Sequence, residues 1–355
     1  MTRARDLGVP LPGRTGVHNA LTDVPGVEIG FTTLVEGDSV RTGVTAVLPR
    51  GREDFAVPCA AGTYALNGNG EMTGTAWLAE TGSLTLPVLI TSTHAVGACH
   101  RGVIDWVVRE RPDVAAEWLL PVVAETWDGY LNDSTAPTIH SGHAVAAIDA
   151  ARSGPVGEGS VGGGTGMTCY GFKGGTGTAS RLVSYGDDEY TVGALVQANF
   201  GSRRELTVAG EHVGAELGAD NPMEEDWAAP SGAGSVIVIV GTDAPLLPGH
   251  CTSLARRVPL GLARTGTAGS HFSGDLFLAF STANPGALTS RFPRTEEAEY
   301  ESLRFVPWGR LDPFFEAVVQ ATEEAVLNAL FANEEMTGHR GHRVPALPTA
   351  RWHRV

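Results

Sequence analysis

The chain has 355 residues, of which 42% are hydrophobic, enough for one large domain or two modest ones with an ample apolar core. Its 25 Lys and Arg against 40 Asp and Glu give a formal charge of -15, which repels phosphate backbones and anionic lipid. Composition therefore argues against a nucleic-acid or membrane-surface role. The basic start lacks the apolar segment of a signal peptide, and no later run has the length of a membrane span, so we expect a soluble, cytoplasmic protein.

Short strand-like runs alternate with alanine-rich segments of helical period. The predicted strands are residues 44–48, 55–59, 87–92, 182–185, 193–200, 235–240 and 275–281. The predicted helices are residues 95–109, 114–125, 143–152, 251–264 and 312–333, the last with a single apolar face. Strands outnumber helices between residues 160 and 290 and leave no room for helical crossovers. This disfavours a doubly wound parallel sheet and favours layered sheets flanked by helices.

One segment, residues 214–234, breaks this pattern. It is acidic, carries Pro and Gly, and has no period, so it predicts a long mobile loop. The run that follows, Ser-Val-Ile-Val-Ile-Val, is typical of a buried central strand and begins at Ser235. A flexible loop therefore meets a core strand at the Gly234–Ser235 bond.

Ser235 has two interpretations. It is either an ordinary strand boundary preceded by turn glycines, or a nucleophile that attacks the carbonyl of Gly234, forms an ester and cuts the chain. Gly234 has no Cβ, so its carbonyl could be held in a strained geometry. The cut would give Ser235 a free α-amine, which titrates near ~7.7–8.0 and can act as the base for its own hydroxyl.

No cofactor is indicated. The glycine runs at residues 162–166 and 174–177 lack the phosphate-loop pattern. The four cysteines are scattered without zinc spacing, and His94, Cys99 and His100 lack further ligands, so we expect no metal. Cys251 lies near the predicted nucleophile but is equally a small apolar side chain at a helix start.

Several stretches, taken together in their order and spacing, resemble one family. They are LTDVPGV (21–27), NGNGEMTG (67–74), VVAETWDG with LND (122–129, 131–133), VGGGTG (161–166), GGTGTASR (174–181), VQANFG (196–201), TDAPLLP (242–248), GLARTG (261–266), and SGD with FSTAN (273–275, 280–284). The chain is similar to the self-processing L-aminopeptidase/D-esterase family, which includes the β-peptidyl aminopeptidases. Only residues 1–15 and 335–355 fall outside the resemblance.

The resemblance implies an α+β fold, a four-layer α/β/β/α sandwich like that of N-terminal-nucleophile hydrolases. It implies a single domain, residues 1–355, that cuts itself at Gly234–Ser235 into an α fragment 1–234 and a β fragment 235–355. It also implies a homo-oligomer, a tetramer or larger, that needs no metal or organic cofactor.

The family's functional residues match five positions of this chain. Ser235 corresponds to the nucleophile, while Ser273 and Asp275 correspond to the supporting serine and acidic residue, the latter often Glu in the family. Asn199 corresponds to an oxyanion-stabilising amide, and Glu125 to the acid that receives the substrate's amino group. A family tyrosine that assists the oxyanion has no settled match, since an ungapped count reaches Thr138 while Tyr130 lies before it.

The predicted function is therefore a serine aminopeptidase, amidase or esterase that acts on small peptides, amides or esters with a free amine. Two alternatives remain at this stage. Ornithine acetyltransferases resemble the fold but use a threonine nucleophile, against which Ser235 argues. An unprocessed, non-catalytic homologue would keep the fold and run as one piece on a denaturing gel.

Overall fold

Two β-sheets face each other and helices cover the outer face of each in the computed structural model, which describes residues 2–226, 233–293, 296 and 298–352. The strands are β1 (Glu28–Glu36), β2 (Val40–Leu48), β3 (Cys59–Ala65), β4 (Ser83–Leu84), β5 (Val88–Ser92), β6 (Val122–Thr126), β7 (Thr168–Cys169), β8 (Phe172–Lys173), β9 (Gly175–Tyr185), β10 (Asp188–Asn199), β11 (Thr207–Val208), β12 (Glu211–His212), β13 (Gly234–Thr242), β14 (Ser273–Ser281), β15 (Met336–Thr337) and β16 (Arg343–Val344). The helices are α1 (Thr75–Thr81), α2 (Val96–Glu110), α3 (Pro112–Ala115), α4 (Ser141–Asp149), α5 (Pro222–Asp226), α6 (Pro248–Ala255), α7 (Val258–Arg264) and α8 (Asp312–Phe331).

The smaller sheet has the strand order β1-β2-β5-β6 and the larger one the order β4-β3-β14-β13-β10-β9. In the larger sheet β13 pairs parallel with β14 and antiparallel with β10. The starts of β13 and β14 therefore lie side by side, next to the end of β10. This edge of the sheet brings together four of the five predicted site residues, Asn199, Ser235, Ser273 and Asp275.

Three apolar layers hold the sandwich together. Residues such as Ile90 and Ala124 of the small sheet pack against Ile237 and Leu278 of the large one. A second cluster lies between the small sheet and helices α2 and α4, and a third between the large sheet and helices α6 to α8. The predicted four-layer α/β/β/α sandwich is thus confirmed.

Three predicted elements are wrong in their bounds or type. The helix predicted over 114–125 ends early, at Ala115 in α3, and its last residues form strand β6. Pro121 cannot continue a helix, and the β-branched pair after it suits a strand buried on both faces. The helix predicted over 251–264 is two helices, α7 carrying Pro259 in its first turn. The strand predicted over 55–59 is a turn, and β3 begins only at Cys59.

Helix α8 is buried on nearly every side rather than on one face. From Ala317 to Phe331 every residue is buried, including Glu324 and Asn328. Glu324 pairs with Arg181 at 2.7 Å and with Arg5 at 2.8 Å. These polar partners explain why the hydrophobic pattern alone underestimates how deeply the helix is buried, because paired charges can be buried where isolated ones cannot.

The segment predicted as a mobile loop, 214–234, is described only in part, since residues 227–232 lie outside the described residues. The described portion contains the short helix α5. The guanidinium of Arg203 donates to the carbonyls of Leu217, at 2.9 Å, and Ala219, at 3.2 Å. Mobility of the whole segment stays a prediction.

Within the part of the chain that the structure describes, no helix combines the length and apolar character that crossing a bilayer requires.

Candidate active site

Ser235 and Asn199 lie directly opposite each other on neighbouring strands, β13 and β10. Directly opposed residues of an antiparallel pair share one face of the sheet. The Asn199 Nδ2 group donates to the Ser235 hydroxyl oxygen at 3.3 Å, and the backbone N–H of Trp127 donates to the same oxygen at 3.2 Å. Two N–H donors therefore converge on the hydroxyl oxygen of Ser235, a residue that is only 2% exposed.

Gly234 is required by close packing. A Cβ at this position would lie 2.2 Å from the carbonyl oxygen of Asn199 and 2.9 Å from the Cα of Phe200. The residue belongs to the regular strand β13 and does not have a positive φ. The reason for glycine here is therefore the near approach of the neighbouring strand, not a left-handed backbone.

Ser273 and Asp275 form a hydrogen-bonded pair at the start of β14. The Ser273 hydroxyl donates to Asp275 Oδ1 at 2.5 Å, and Asn67 Nδ2 donates to Asp275 Oδ2 at 3.2 Å. Burial raises the pKa of Asp275, and hydrogen bonds from Ser273, Asn67 and the backbone of Val236 partly offset that rise. The shorter Asp side chain thus reaches both its own strand and the residue after Ser235.

The strand register pairs Ser273 and Asp275 with the residues before and after the predicted nucleophile. Ser273 faces Gly234, and Gly274 faces Ser235, across the parallel strands. Because side chains alternate along a strand, Ser273 and Asp275 project from the sheet face opposite the Ser235 hydroxyl. Among the described residues neither side chain forms a hydrogen bond with Ser235 in this uncut chain, so any contact after cleavage would be made through the Ser235 nitrogen.

Glu125 lies on β6 of the facing sheet and is 2% exposed. Its carboxylate accepts a hydrogen bond from the Glu71 backbone N–H at 2.8 Å and another from the Thr93 hydroxyl. Burial raises the pKa of Glu125, while these two hydrogen bonds work in the opposite direction. His94 is near enough to lower this pKa slightly, but among the described residues no Arg, Lys or His side chain forms an ion pair with Glu125. A buried carboxylate of this kind is suited to a positively charged ligand.

The stretch at residues 67–74 contacts both Asp275 and Glu125. Asn67 binds Asp275 through its side chain and accepts the Asp275 N–H at 2.7 Å. A Cβ on Gly70 would lie 3.1 Å from the Cα of Gly274 and 3.2 Å from Glu125 Oε1. Glu125 therefore lies across Gly70 from Gly274, the register partner of Ser235.

A cleft of about 550 Å³ opens beside these residues. Gly234, Asn199 and Trp127 form part of its wall, with Phe272 and Met223 adding apolar surface. This volume lies within the usual range of small-molecule sites. Ser235 and Glu125 are not among the described residues that line it, so the cleft reaches the immediate neighbours of the Ser235 hydroxyl rather than the hydroxyl itself.

Tyr130 also lines the cleft, and its ring stacks on His342 with centroids 4.4 Å apart. Thr138 is not among the described residues that line it. Cys251 is fully buried on α6, and burial raises the pKa of its thiol far above the usual value, which makes it a poor nucleophile. In the described ranges no three His, Cys, Asp or Glu side chains converge as a metal site.

Sequence reasoning missed the groups that orient the predicted ones. They are Asn67, Thr93, the N–H groups of Glu71 and Trp127, and Thr168, whose N–H donates to Asn199 Oδ1 at 2.9 Å. Asn67, Glu71 and Trp127 lie inside stretches that carry the family resemblance, so those stretches were the available signal. Nothing in the sequence marks Thr93.

The layered fold and the convergence of amide donors on a strand-opening serine define a serine aminopeptidase with an N-terminal-nucleophile hydrolase fold. The chain belongs to Peptidase family S58, whose family model matches residues 19–344. It is 47% identical to the β-peptidyl aminopeptidase BapA of Sphingosinicella microcystinivorans, over 98% of this chain and 90% of that protein.

Solved structures agree with this assignment. The L-aminopeptidase D-Ala-esterase/amidase of Ochrobactrum anthropi, a serine aminopeptidase with a variant of the N-terminal-nucleophile fold, is 43% identical and superposes with a TM-score of 0.91 over 99% of this chain and 97% of that one. A β-aminopeptidase from a Burkholderia species is 44% identical, with a TM-score of 0.89 and the same coverage of both chains.

Proposed function

We infer that this aminopeptidase is made as an inactive precursor and cuts itself at Gly234–Ser235, giving fragments 1–234 and 235–355. The observation that carries the inference is the pair of N–H donors aimed at the Ser235 hydroxyl oxygen, at 3.2 and 3.3 Å. Donors held beside the nucleophile are placed to reach the carbonyl oxygen that becomes negative when the hydroxyl attacks. The close-packed Gly234 beside it supports a carbonyl held near the hydroxyl.

Cleavage supplies the base for turnover. The new α-amine of Ser235, with a pKa near ~7.7–8.0, takes the hydroxyl proton while the oxygen attacks the substrate carbonyl. Ser273 and Asp275 hold that amine, and the Asn199 amide stabilises the oxyanion. The leaving group departs with the proton, an ester to Ser235 remains, and water then releases the acyl group.

Glu125 receives the ammonium group of the substrate. Its carboxylate is desolvated and held in place by Thr93 and the Glu71 N–H, so a cation restores the solvation that burial removed. The substrates are small peptides, amides or esters with a free amino terminus. The names of the relatives, which include β-peptidyl aminopeptidases and an L-aminopeptidase D-Ala-esterase/amidase, support this class of substrate.

We expect the purified protein to separate on a denaturing gel into two fragments, the smaller beginning at Ser235. N-terminal sequencing of that fragment checks the bond that is cut. Activity on free-amine substrates should rise with the fraction of cleaved chain. A single full-length band from active protein would contradict the proposed maturation.

Replacing Glu125 with Gln should lower kcat/KM for free-amine substrates. The loss should correspond to about 1.5–3 kcal/mol of transition-state stabilisation, because a charge-assisted hydrogen bond to the ammonium is lost. Self-cleavage should proceed normally, since it needs no substrate amine. The exposed Glu80 on helix α1 offers a control, and Glu80→Gln should leave kcat/KM unchanged. Equal turnover of free and N-acetylated substrates by the wild type would contradict the assignment of Glu125.

We also propose that the enzyme forms a homo-oligomer, a tetramer or larger. The family resemblance supports this, as do large aromatic side chains left exposed on the described surface, among them Phe292 at 65% and Trp308 at 80%. Light scattering should give a mass several times that of one chain. The mass of a single chain for active enzyme would be the contrary result.

A further inference from the structure

Lys173 is the only lysine of the chain and its side chain is completely buried. Its Nζ donates to the carbonyl oxygens of Gly174, at 2.8 Å, and Met167, at 2.9 Å, with Gly164 at 3.5 Å. Throughout the described ranges no carboxylate forms an ion pair with it. Three backbone carbonyls therefore hold this buried amine.

Burying this amine is energetically unfavourable, because it loses its hydration and gains no opposite charge in return. Burial lowers the pKa of Lys173 to about 7. An apolar side chain of similar length would avoid that cost. The Gly174 N–H also donates to the Met167 oxygen, at 3.0 Å, so Lys173 supplies a second donor that restrains this carbonyl further.

The Met167 carbonyl belongs to the same peptide group as the N–H of Thr168. A peptide group is planar, so holding its C=O end fixes the direction of its N–H end. The Thr168 N–H donates to Asn199 Oδ1 at 2.9 Å. That contact orients the Asn199 amide, since only the oxygen can accept and the Nδ2 group must then point the other way.

The turned Nδ2 group is the one that meets the predicted nucleophile. It donates to the Trp127 carbonyl at 2.9 Å and to the Ser235 hydroxyl oxygen at 3.3 Å. The chain of contacts from Lys173 to Ser235 thus passes through one peptide group and one amide.

We propose that Lys173 is a positioning residue, which holds the Met167–Thr168 peptide group so that Asn199 presents its amide to the oxyanion that forms when Ser235 attacks a carbonyl. The inference rests on the proposed function of Asn199 and Ser235. Lys173 touches neither substrate nor reacting atoms. It acts on the rate through the orientation of another side chain.

The test compares Lys173→Met with the wild type on a free-amine substrate. We expect kcat to fall about 10-fold, less than the roughly 10²–10³-fold expected when an oxyanion donor is removed outright. KM should change less than about twofold, because an oxyanion interaction forms in the transition state. Lys173→Gln keeps an N–H donor group, so its kcat should fall less. It replaces Lys173→Met in the test should Lys173→Met fail to fold.

A matched control separates positioning from general loosening. Asn333 donates to the Gly174 carbonyl at 2.8 Å and to the Lys173 carbonyl at 3.2 Å, but not to the Met167–Thr168 peptide group. Asn333→Ala loosens the same turn without releasing that peptide group. Its kcat should stay close to that of the wild type.

A double-mutant cycle with Asn199→Ala gives the decisive readout. If Lys173 acts through Asn199, Lys173→Met should cost nothing further once the amide is gone. An unchanged kcat in Lys173→Met, or the same loss with and without Asn199, would overturn the proposal.

Should the wild type hydrolyse no free-amine substrate, the proposed function fails, and crystal structures of the wild type and Lys173→Met then decide this inference. An Asn199 amide turned away from Ser235 in the variant supports it, and an unmoved amide overturns it.

Discussion

Replacing Ser235 with Ala should leave a full-length chain that neither cuts itself nor hydrolyses substrate. Both reactions need the same hydroxyl oxygen, which the Trp127 N–H and the Asn199 amide contact in the uncut chain. Removing a nucleophile that acts with its base as one unit costs on the order of 10⁶ in kcat in a serine hydrolase. A denaturing gel and an assay with a free-amine substrate measure both losses on one sample.

The fold should survive this change, because Ala fills most of the volume of Ser at the start of a strand. Circular dichroism and thermal unfolding of Ser235→Ala should therefore match a folded protein. Cys251→Ala is the control, and it should cleave and turn over as the wild type does, since its thiol is fully buried on α6. Cleavage of Ser235→Ala between residues 234 and 235 would require another nucleophile.

Replacing Glu324 with Ala should lower the free energy of unfolding by about 3–5 kcal/mol, the range for removing one partner of a buried ion pair. The Glu324 carboxylate is fully buried and pairs with Arg181, whose side chain is only 2% exposed. It also accepts from Arg5 at 2.8 Å. Burial by itself raises the pKa of Glu324, but the hydrogen bond from Arg5 and the charge of Arg181 hold it below the usual value.

The measurement is best made in the Ser235→Ala background, where the chain stays continuous and urea unfolds one molecule rather than two fragments. Asp105→Asn removes an exposed ion pair with Arg101 and should cost no more than about 0.5 kcal/mol, which makes it the control. Equal losses from the two variants would show that the Glu324 pair contributes no more than a surface contact. In cleaved protein the same pair joins the two proposed fragments, since Arg5 and Arg181 precede residue 234 and Glu324 follows it.

Much of the protein follows from the sequence. The β-branched run after Ser235 predicts a central strand, and β13 is that strand, paired on both sides. The strand-rich region between residues 160 and 290 predicts the layered architecture correctly. The expectation that no helical crossover fits there is wrong, because α6 and α7 connect the parallel strands β13 and β14. The stretches that carry the family resemblance contain Glu125, Asn199, Ser273 and Asp275, and the fold brings the last three beside Ser235. The roles of these residues stay predictions.

The tertiary structure decides which site residues lie next to each other. Glu125 is predicted at the end of a helix, although Pro121 and the β-branched pair after it favour a strand. Pairing with β5 then places Glu125 in a strand whose residues are all buried. The alternation of Ser273 and Asp275 with Gly274 separates them from the Ser235 hydroxyl, which spacing along the chain does not reveal.

The buried polar side chains of α8 and of the β7–β8 hairpin also depend on the tertiary structure. Hydrophobic periodicity predicts one apolar face for α8, yet Glu324 is buried because two arginines from distant segments neutralise it. Lys173 is likewise an unremarkable single residue in the sequence. Its carbonyl partners converge only in the folded chain, since the free energy of burying a polar group depends on partners that local patterns do not specify.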